Sequence, residues 1–418
     1  MRGTGIFIKL VSAVFIASAA TAVPSYGHSS DSSRVAHSIG FNVRPSSLLP
    51  THEFFRGKNE LGKRLDKSAS AHLQYAFAFP ESSRFGKVYP TAYQGIGVAF
   101  NTFFDSNEIG NPISVYVFQG ASLARLSKSL TLDYEWNFGA SFGWHPYDPE
   151  GRLNPNRPNT YNLVVGSKVN AYINFGLMLV WSPDAYWSVS AGTEFTHFSN
   201  GNTSYPNSGV NTIGFRLGAS RHFSPARTRQ AATAKVNEYD DGTTGRSRFF
   251  SRLTYDATIY GAVRTKGLMW NDTPYIPEGK FGIIGLNLNP LYRVNKFFRA
   301  GFSIDVQYDE SANLPDHIAG TDNDGKIRFF RPPIAEQLGA GLSLRAEFVM
   351  PVFSVNIGFG RNLIYKGEEL KGFYQSLALK TDLYKGLFLH IGYKLHDFHD
   401  PNNLMLGVGW RFGASQIN

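Results

Sequence analysis

From about residue 35 to its end, this sequence is a run of short segments in which apolar residues alternate with polar or small ones, with turn residues between them. Segments of about ten residues with a period of two are the pattern of strands in a membrane-spanning barrel, where one face meets lipid and the other the lumen. The last segment shows it plainly. Leu404, Leu406, Val408, Trp410 and Phe412 fall on one face, and Met405, Gly407, Gly409 and Arg411 on the other. After Ala22 no run of about 18 apolar residues occurs, so no helix is expected to cross a membrane.

About sixteen such segments can be counted by alternation, the first near Val35 to Arg44 and the last ending near Phe412. The joins are of two sorts. Ser127-Lys128-Ser129, Ser182-Pro183-Asp184, Val294-Asn295-Lys296, Pro351-Val352 and Tyr384-Lys385-Gly386 are short, whereas Phe104 to Pro112, His145 to Asn162, Lys266 to Gly279 and Asp309 to Glu336 are long. Outer-membrane barrels are strung in this way, with short periplasmic turns and long external loops. Two joins depart from it. Pro80 to Pro90 is long for a periplasmic turn. Ser224 to Arg246 is polar, lies on the periplasmic side by parity, and divides the chain into halves of about eight segments. The expected fold is all-β, an antiparallel transmembrane β-barrel of about sixteen strands in one sheet, because a single closure needs no second assembly event. Two smaller barrels of about eight strands each are the alternative.

The N-terminus has the pattern of a cleaved signal peptide: Arg2 and Lys9, the apolar stretch Leu10 to Ala19, then Ala20-Thr21-Ala22 as a small-x-small cleavage site. Its apolar stretch is too short to span a bilayer well. The expected organisation is a signal at 1–22, a first barrel half at 23–223, a polar linker at 224–246 and a second half at 247–418. There is no cysteine, which excludes a disulfide scaffold. The formal charge of +9 falls to +7 without Arg2 and Lys9, since residues 1–22 hold no Asp or Glu. A basic surface attracts nucleic acid as well as anionic lipid. For an exported chain the expected partner is lipid or polysaccharide rather than nucleic acid.

One segment stands apart. It runs Gly192-Thr193-Glu194-Phe195-Thr196-His197-Phe198-Ser199-Asn200-Gly201-Asn202, followed by Tyr205-Pro206-Asn207-Ser208-Gly209-Val210-Asn211. Trp187, Val189, Ala191, Thr193 and Phe195 share the apolar face of this strand, and His197 and Ser199 continue it. Residues two apart are neighbours on one side of a strand, so an imidazole and a hydroxyl stand side by side, facing lipid near the outer rim. Polar groups there gain little unless they bond each other or a headgroup. As a pair they have the chemistry of nucleophile and base, His197 taking the proton as Ser199 attacks an acyl carbon. Alternatively they lie beyond the hydrocarbon band and are merely solvated.

His197-Phe198-Ser199-Asn200 resembles the catalytic motif of the outer-membrane lipid A 3-O-deacylases, the PagL type of acyloxyacyl hydrolase. Pro206-Asn207-x-Gly209-x-Asn211 is similar to that family too. So are Arg44 to Gly57 with its core Leu48-Leu49-Pro50-Thr51-His52, Tyr134-Glu135-Trp136-Asn137, and Gly143-Trp144. The likeness covers roughly residues 35–223. It implies an esterase in the outer membrane of a Gram-negative bacterium that removes an ester-linked acyl chain from lipid A, the lipopolysaccharide anchor of the outer leaflet. His197 would be the base, Ser199 the nucleophile and Asn200 an oxyanion donor, with the Gly201 backbone N–H as a second donor. No cofactor or metal is implied, since ester cleavage needs only a nucleophile, a base and charge stabilisation. Oligomeric state is left open.

The sequence departs from the family at one point. Its best-known members complete the triad with a Glu about a dozen residues after the Ser, where this chain has Asn211. By alternation Asn211, Ile213, Phe215 and Leu217 share the lipid face, so Asn211 is expected beside His197 on the next strand. There its side-chain oxygen can orient the ring without supplying charge. Glu194 projects to the opposite face. Gly392 to Asp400 can be laid over Gly192 to Asn200, with Asp397 in place of the His and His399 in place of the Ser, so the second half is expected to lack a catalytic site. His396, Asp397, His399 and Asp400 are taken as polar loop residues rather than a metal site, and Asn202-Thr203-Ser204 and Asn271-Asp272-Thr273 as chance sequons. Glu135, Asp133 and Arg345 are expected to point into the lumen and pair there. The rival class is a non-catalytic transport or structural barrel.

Overall fold

The computed structural model describes residues 35–80, 82–224, 246–270, 273–277, 279–322, 327–397 and 400–413. The expected signal at 1–22, nearly all of the linker at 224–246, Asn271, Asp272 and His399 lie outside the described residues.

The period-two pattern folds as strands throughout. The first eight are β1 (Ala36–Leu49), β2 (Lys67–Ala78), β3 (Tyr93–Thr102), β4 (Gly110–Arg125), β5 (Leu130–Trp144), β6 (Val169–Trp181), β7 (Trp187–Ser199) and β8 (Val210–His222). Each pairs antiparallel with the next, and β8 returns to β1 with Val43 opposite Leu217 and Leu49 opposite Asn211, so the sheet closes. A second closed barrel is made by β9 (Leu253–Arg264), β12 (Phe281–Arg293), β13 (Phe298–Asp309), β16 (Leu338–Val349), β17 (Ser354–Ile364), β18 (Phe373–Tyr384), β19 (Leu387–His396) and β20 (Asp400–Gly413). Here β20 returns to β9, with Val408 opposite Ile259. Two small hairpins, β10 (Leu268–Trp270) with β11 (Thr273–Tyr275) and β14 (Ile318–Thr321) with β15 (Ile327–Phe329), decorate its long joins.

This corrects the expectation of one barrel of about sixteen strands: the chain forms two closed barrels of eight strands each. The physical reason is the lumen. An eight-stranded barrel has an interior just wide enough for side chains to fill. Arg44, Tyr116, Trp144 and Tyr172 in the first barrel, and Lys380 and Phe388 in the second, are large and fully buried. With eight strands these side chains pack against each other, and every strand edge is already paired.

The outer faces carry the other half of the alternation. Leu73, Ile96, Phe100 and Phe215 on the first barrel are exposed, as are Ile259, Ile284, Phe302 and Leu344 on the second. An apolar band around a closed sheet is the surface of a membrane-spanning barrel. Inside, several charges are paired. In the first barrel Arg216 meets Glu135 at 2.5 Å and Arg44 meets Glu194 at 2.8 Å. In the second, Lys380 lies 3.0 Å from Asp256 and 2.7 Å from Glu347, and Arg345 lies 2.7 Å from Asp305. Glu135 and Arg345 thus stand in the lumens as expected, and Asp133 is buried as well. The long join after β2 is long because it holds a one-turn helix, Arg84–Val88, capped by the Ser83 hydroxyl on the Gly86 N–H at 3.0 Å.

Candidate active site

The site lies at the outer end of β7, where the strand's apolar face runs out. Along β7 Val189, Ala191, Thr193 and Phe195 are exposed on the outside, while Ser188, Glu194, Thr196 and Phe198 are buried. His197 and Ser199 continue the outer side. Phe198 between them points inward to an aromatic cluster, with ring centroids 5.1 Å from Trp144, 5.4 Å from Tyr172 and 5.9 Å from Phe103. Edge-on and tilted contacts of this kind hold a ring in place. Phe198 therefore anchors the backbone on which both polar side chains stand.

His197 pairs directly across β7 and β8 with Asn211. Its Nδ1 lies 2.6 Å from Asn211 Oδ1, and its Nε2 lies 2.9 Å from Ser199 Oγ. An amide oxygen only accepts, so Nδ1 carries the proton and donates it. Nε2 is then the bare ring nitrogen, and the Ser199 hydroxyl donates to it. The row Asn211, His197, Ser199 thus has the connectivity of an orienter, a base and a nucleophile. Glu194 takes no part, being turned inward onto Arg44.

The chain then crosses over the site. Gly201 and Asn202 both have positive φ, 67° and 59°, turning the backbone sharply after Asn200. The Asn200 N–H donates to Asn207 Oδ1 at 2.9 Å. Asn207 is buried, and its Nδ2 has no hydrogen-bond partner among the described residues. Gly209, at φ 72°, passes against this hydrogen-bonded row: a Cβ there would fall 3.1 Å from the Phe198 carbonyl oxygen and 3.2 Å from His197 Cε1. Only glycine combines that backbone with that approach. Gly209 is held from two sides, its N–H donating to the Val164 carbonyl at 3.2 Å and its carbonyl accepting the Thr51 hydroxyl at 2.7 Å. Beneath this covering segment Ser199 is only 6% exposed, although it stands on the outward side of the strand.

Of the residues singled out from sequence, Ser199 and Asn211 therefore both hydrogen-bond the His197 ring, one at each nitrogen, with Asn200 and Gly201 next after Ser199 in the chain. Asn207, Gly209 and Thr51 acquire contacts that alternation alone did not assign. The signal that marks them is the Pro206-Asn207-x-Gly209 and Thr51 likeness noted above. In the second barrel Asp397 follows the end of β19, and its Oδ1 accepts the Phe373 N–H at 3.1 Å. Among the described residues no group of three His, Cys, Asp or Glu side chains is arranged to hold a metal ion.

Residues 117–220 match the family model for lipid A 3-O-deacylase (PagL), and residues 253–414 match that for the C-terminal domain of acyloxyacyl hydrolase. Together the two matches take in well over half of the chain. The chain belongs to the lipid A 3-O-deacylase family. The family is one of hydrolases that act on lipid A. No curated protein matches the chain. Among solved structures it is similar to the outer membrane enzyme PagL, at 13% identity over 43% of this chain and 97% of that one, with a TM-score of 0.28. It is also similar to Neisserial surface protein A, at 8% identity over 45% and 95% with a TM-score of 0.27. A third is the outer membrane protein Ail of Yersinia pestis, at 15% identity over 38% and 99% with a TM-score of 0.22. Likenesses at these scores carry no weight for activity.

Proposed function

We propose that this family member is an outer-membrane esterase that removes an ester-linked acyl chain from lipid A through Ser199, with His197 as general base and acid and Asn211 orienting the ring. The observation that carries this reading is the unbroken row from Asn211 Oδ1 through the imidazole to Ser199 Oγ. Ser199 Oγ attacks the ester carbonyl carbon and its proton passes to His197 Nε2. The tetrahedral oxyanion is met by the Gly201 N–H and by the side-chain amides of Asn200 and Asn207. The Asn200 N–H is already committed to Asn207 Oδ1, which makes the partnerless Asn207 Nδ2 the better donor. Each such donor is worth about 10²- to 10³-fold in rate. Collapse breaks the bond to the sugar oxygen, which leaves with the proton from Nε2. Water, deprotonated by the same nitrogen, then frees the fatty acid from Ser199.

The position of the row supports lipid A as substrate. It tops an outer face on which Leu177, Phe195, Ile213 and Phe215 are exposed, a wall against which acyl chains of the outer leaflet can lie. In the first barrel the joins after β4 and β6 are short and those after β1 and β5 long, as in outer-membrane barrels, with the helix-bearing join after β2 the exception. On this reading residues 1–22 are a cleaved export signal, 23–223 the catalytic barrel, 224–246 a linker and 247–418 a barrel without a catalytic site. The paired charges inside both barrels weigh against a transport role.

The test is mass spectrometry of lipid A from cells producing the wild type, Ser199→Ala or His197→Ala. Loss of one acyl chain with the wild type alone is the expected result. Unchanged lipid A in all three, with the barrels inserted, overturns the proposal.

A further inference from the structure

The external loops of the first barrel contain a second cluster that the deacylation chemistry does not use. The join between β3 and β4 carries Asp105 and Glu108, which are 3% and 4% exposed. Asp105 Oδ1 accepts the N–H groups of Asn107 and Glu108, each at 3.0 Å. Its other oxygen, Oδ2, is buried without a partner. Glu108 is in the same condition: Oε2 accepts the Glu60 N–H at 3.0 Å, while Oε1 is buried and unpartnered. From the β5–β6 join, Asn159 Nδ2 donates to the Glu108 carbonyl at 2.8 Å, and Asn159 Oδ1 is a third buried oxygen with no partner. Asn162 Nδ2 donates to the same Glu108 carbonyl at 2.8 Å.

Two carboxylates and an amide oxygen thus share one small region, each with an acceptor that has no partner among the described residues. Buried acceptors are normally paired, and buried carboxylates almost always are. Burial, with Asp105 and Glu60 close by, pushes the Glu108 carboxyl above its ordinary value. The nearby Arg157 guanidinium is directed elsewhere, onto Asn107 Oδ1 at 2.9 Å and Glu60 Oε2 at 3.7 Å. The unpartnered atoms are all oxygens, and the neighbouring His145 ring is engaged through Nδ1, which donates to the Asn107 carbonyl at 2.9 Å, so the donor set suits a hard cation. Magnesium keeps most of its waters and demands a near-octahedral shell. Calcium accepts irregular protein oxygens, backbone carbonyls included.

We propose that Asp105, Glu108 and Asn159 form a calcium site in the external loops of the first barrel. The ion would tie the β3–β4 and β5–β6 joins together and, through the Glu60 N–H on Glu108, the β1–β2 join as well. All three joins contribute to the buried cluster that holds Phe198, with Phe54, Ile109 and Val165 among its members, so the ion stiffens the loops around the outer rim without touching the reacting atoms.

The test uses the full chain in zwitterionic detergent, free of lipopolysaccharide and stripped with EDTA. Calcium chloride is titrated by calorimetry, and terbium by luminescence, into the wild type and the isosteric variants Asp105→Asn and Glu108→Gln. One saturable site, weakened at least tenfold in either variant, with a calcium-dependent rise in Tm confined to the wild type, is expected. Absence of binding, or binding as strong in the two variants as in the wild type, overturns the proposal, as does magnesium displacing terbium as readily as calcium does. Should the variants fail to fold, anomalous scattering from terbium-soaked wild-type crystals decides. A peak between Asp105 and Glu108 supports the site, and its absence there refutes it.

Discussion

Asn211 Oδ1 lies 2.6 Å from His197 Nδ1, directly across the β7–β8 pair. The contact fixes the ring's tautomer but adds no negative charge beside it. In a triad the third residue both orients the imidazole and stabilises the imidazolium that forms as the nucleophile is deprotonated. Asn211 can do only the first.

Replacing Asn211 by Asp, which has the same length and restores the charge, is therefore expected to raise kcat by about tenfold, or ~1.4 kcal/mol off the barrier. Asn211→Ala removes orientation as well and should lower kcat about 10²-fold. Both are read from the rate of fatty acid release in mixed micelles of lipid A. A slower Asn211→Asp enzyme would count against the charge argument.

Asn207 holds the backbone after the nucleophile through its oxygen and keeps a bare Nδ2. If that amide meets the oxyanion, Asn207→Ala should lower kcat by about 10²- to 10³-fold and leave KM nearly unchanged. Asn207→Asp keeps the acceptor and loses the donor, so it should be as slow as the alanine variant. A fast Asn207→Asp enzyme would show that only the backbone contact matters.

Gly209 is the tightest point over the site. In Gly209→Ala the new methyl meets the Phe198 carbonyl oxygen at 3.1 Å and the His197 ring at 3.2 Å, on a backbone of φ 72°. The variant should insert and show the heat-modifiable gel mobility of an intact barrel, yet release fatty acid at least about tenfold more slowly. Normal activity would mean that the covering segment moves freely.

The lumens bear on transport. Lys380 is bound by both Asp256 and Glu347, and Arg216 by Glu135, all of them buried. Removing one partner of such a pair costs about 3–5 kcal/mol, and these paired side chains occupy the lumens. The protein in a planar bilayer should show no steady porin-like conductance. Stable open-channel steps would restore the transport reading.

Much of this was legible in the sequence. Short joins such as Ser127-Lys128-Ser129 and Pro351-Val352 mark strand ends because turn chemistry is local. The face shared by His197, Ser199 and Asn211 follows from the period of two along β7 and β8. Other features were not legible. Trp144, Tyr172 and Phe103 come from three different strands or joins, and nothing in their spacing says that they meet around Phe198. Nor does the polarity of Ser199 say that the stretch from Pro206 to Gly209 will cover it.

What the sequence by itself determined is the strand, its two faces and the identity of the groups at its outer end, because alternation is a property of neighbouring residues. Where each sheet closes was decided only by the tertiary structure. A strand pairs through its backbone, and backbone hydrogen bonds are the same for any partner. Whether β8 meets β1 or continues into a wider sheet depends on how well Arg44, Tyr116, Tyr172 and Glu135 fill the space inside. That fit exists only once all eight strands of the barrel are in place.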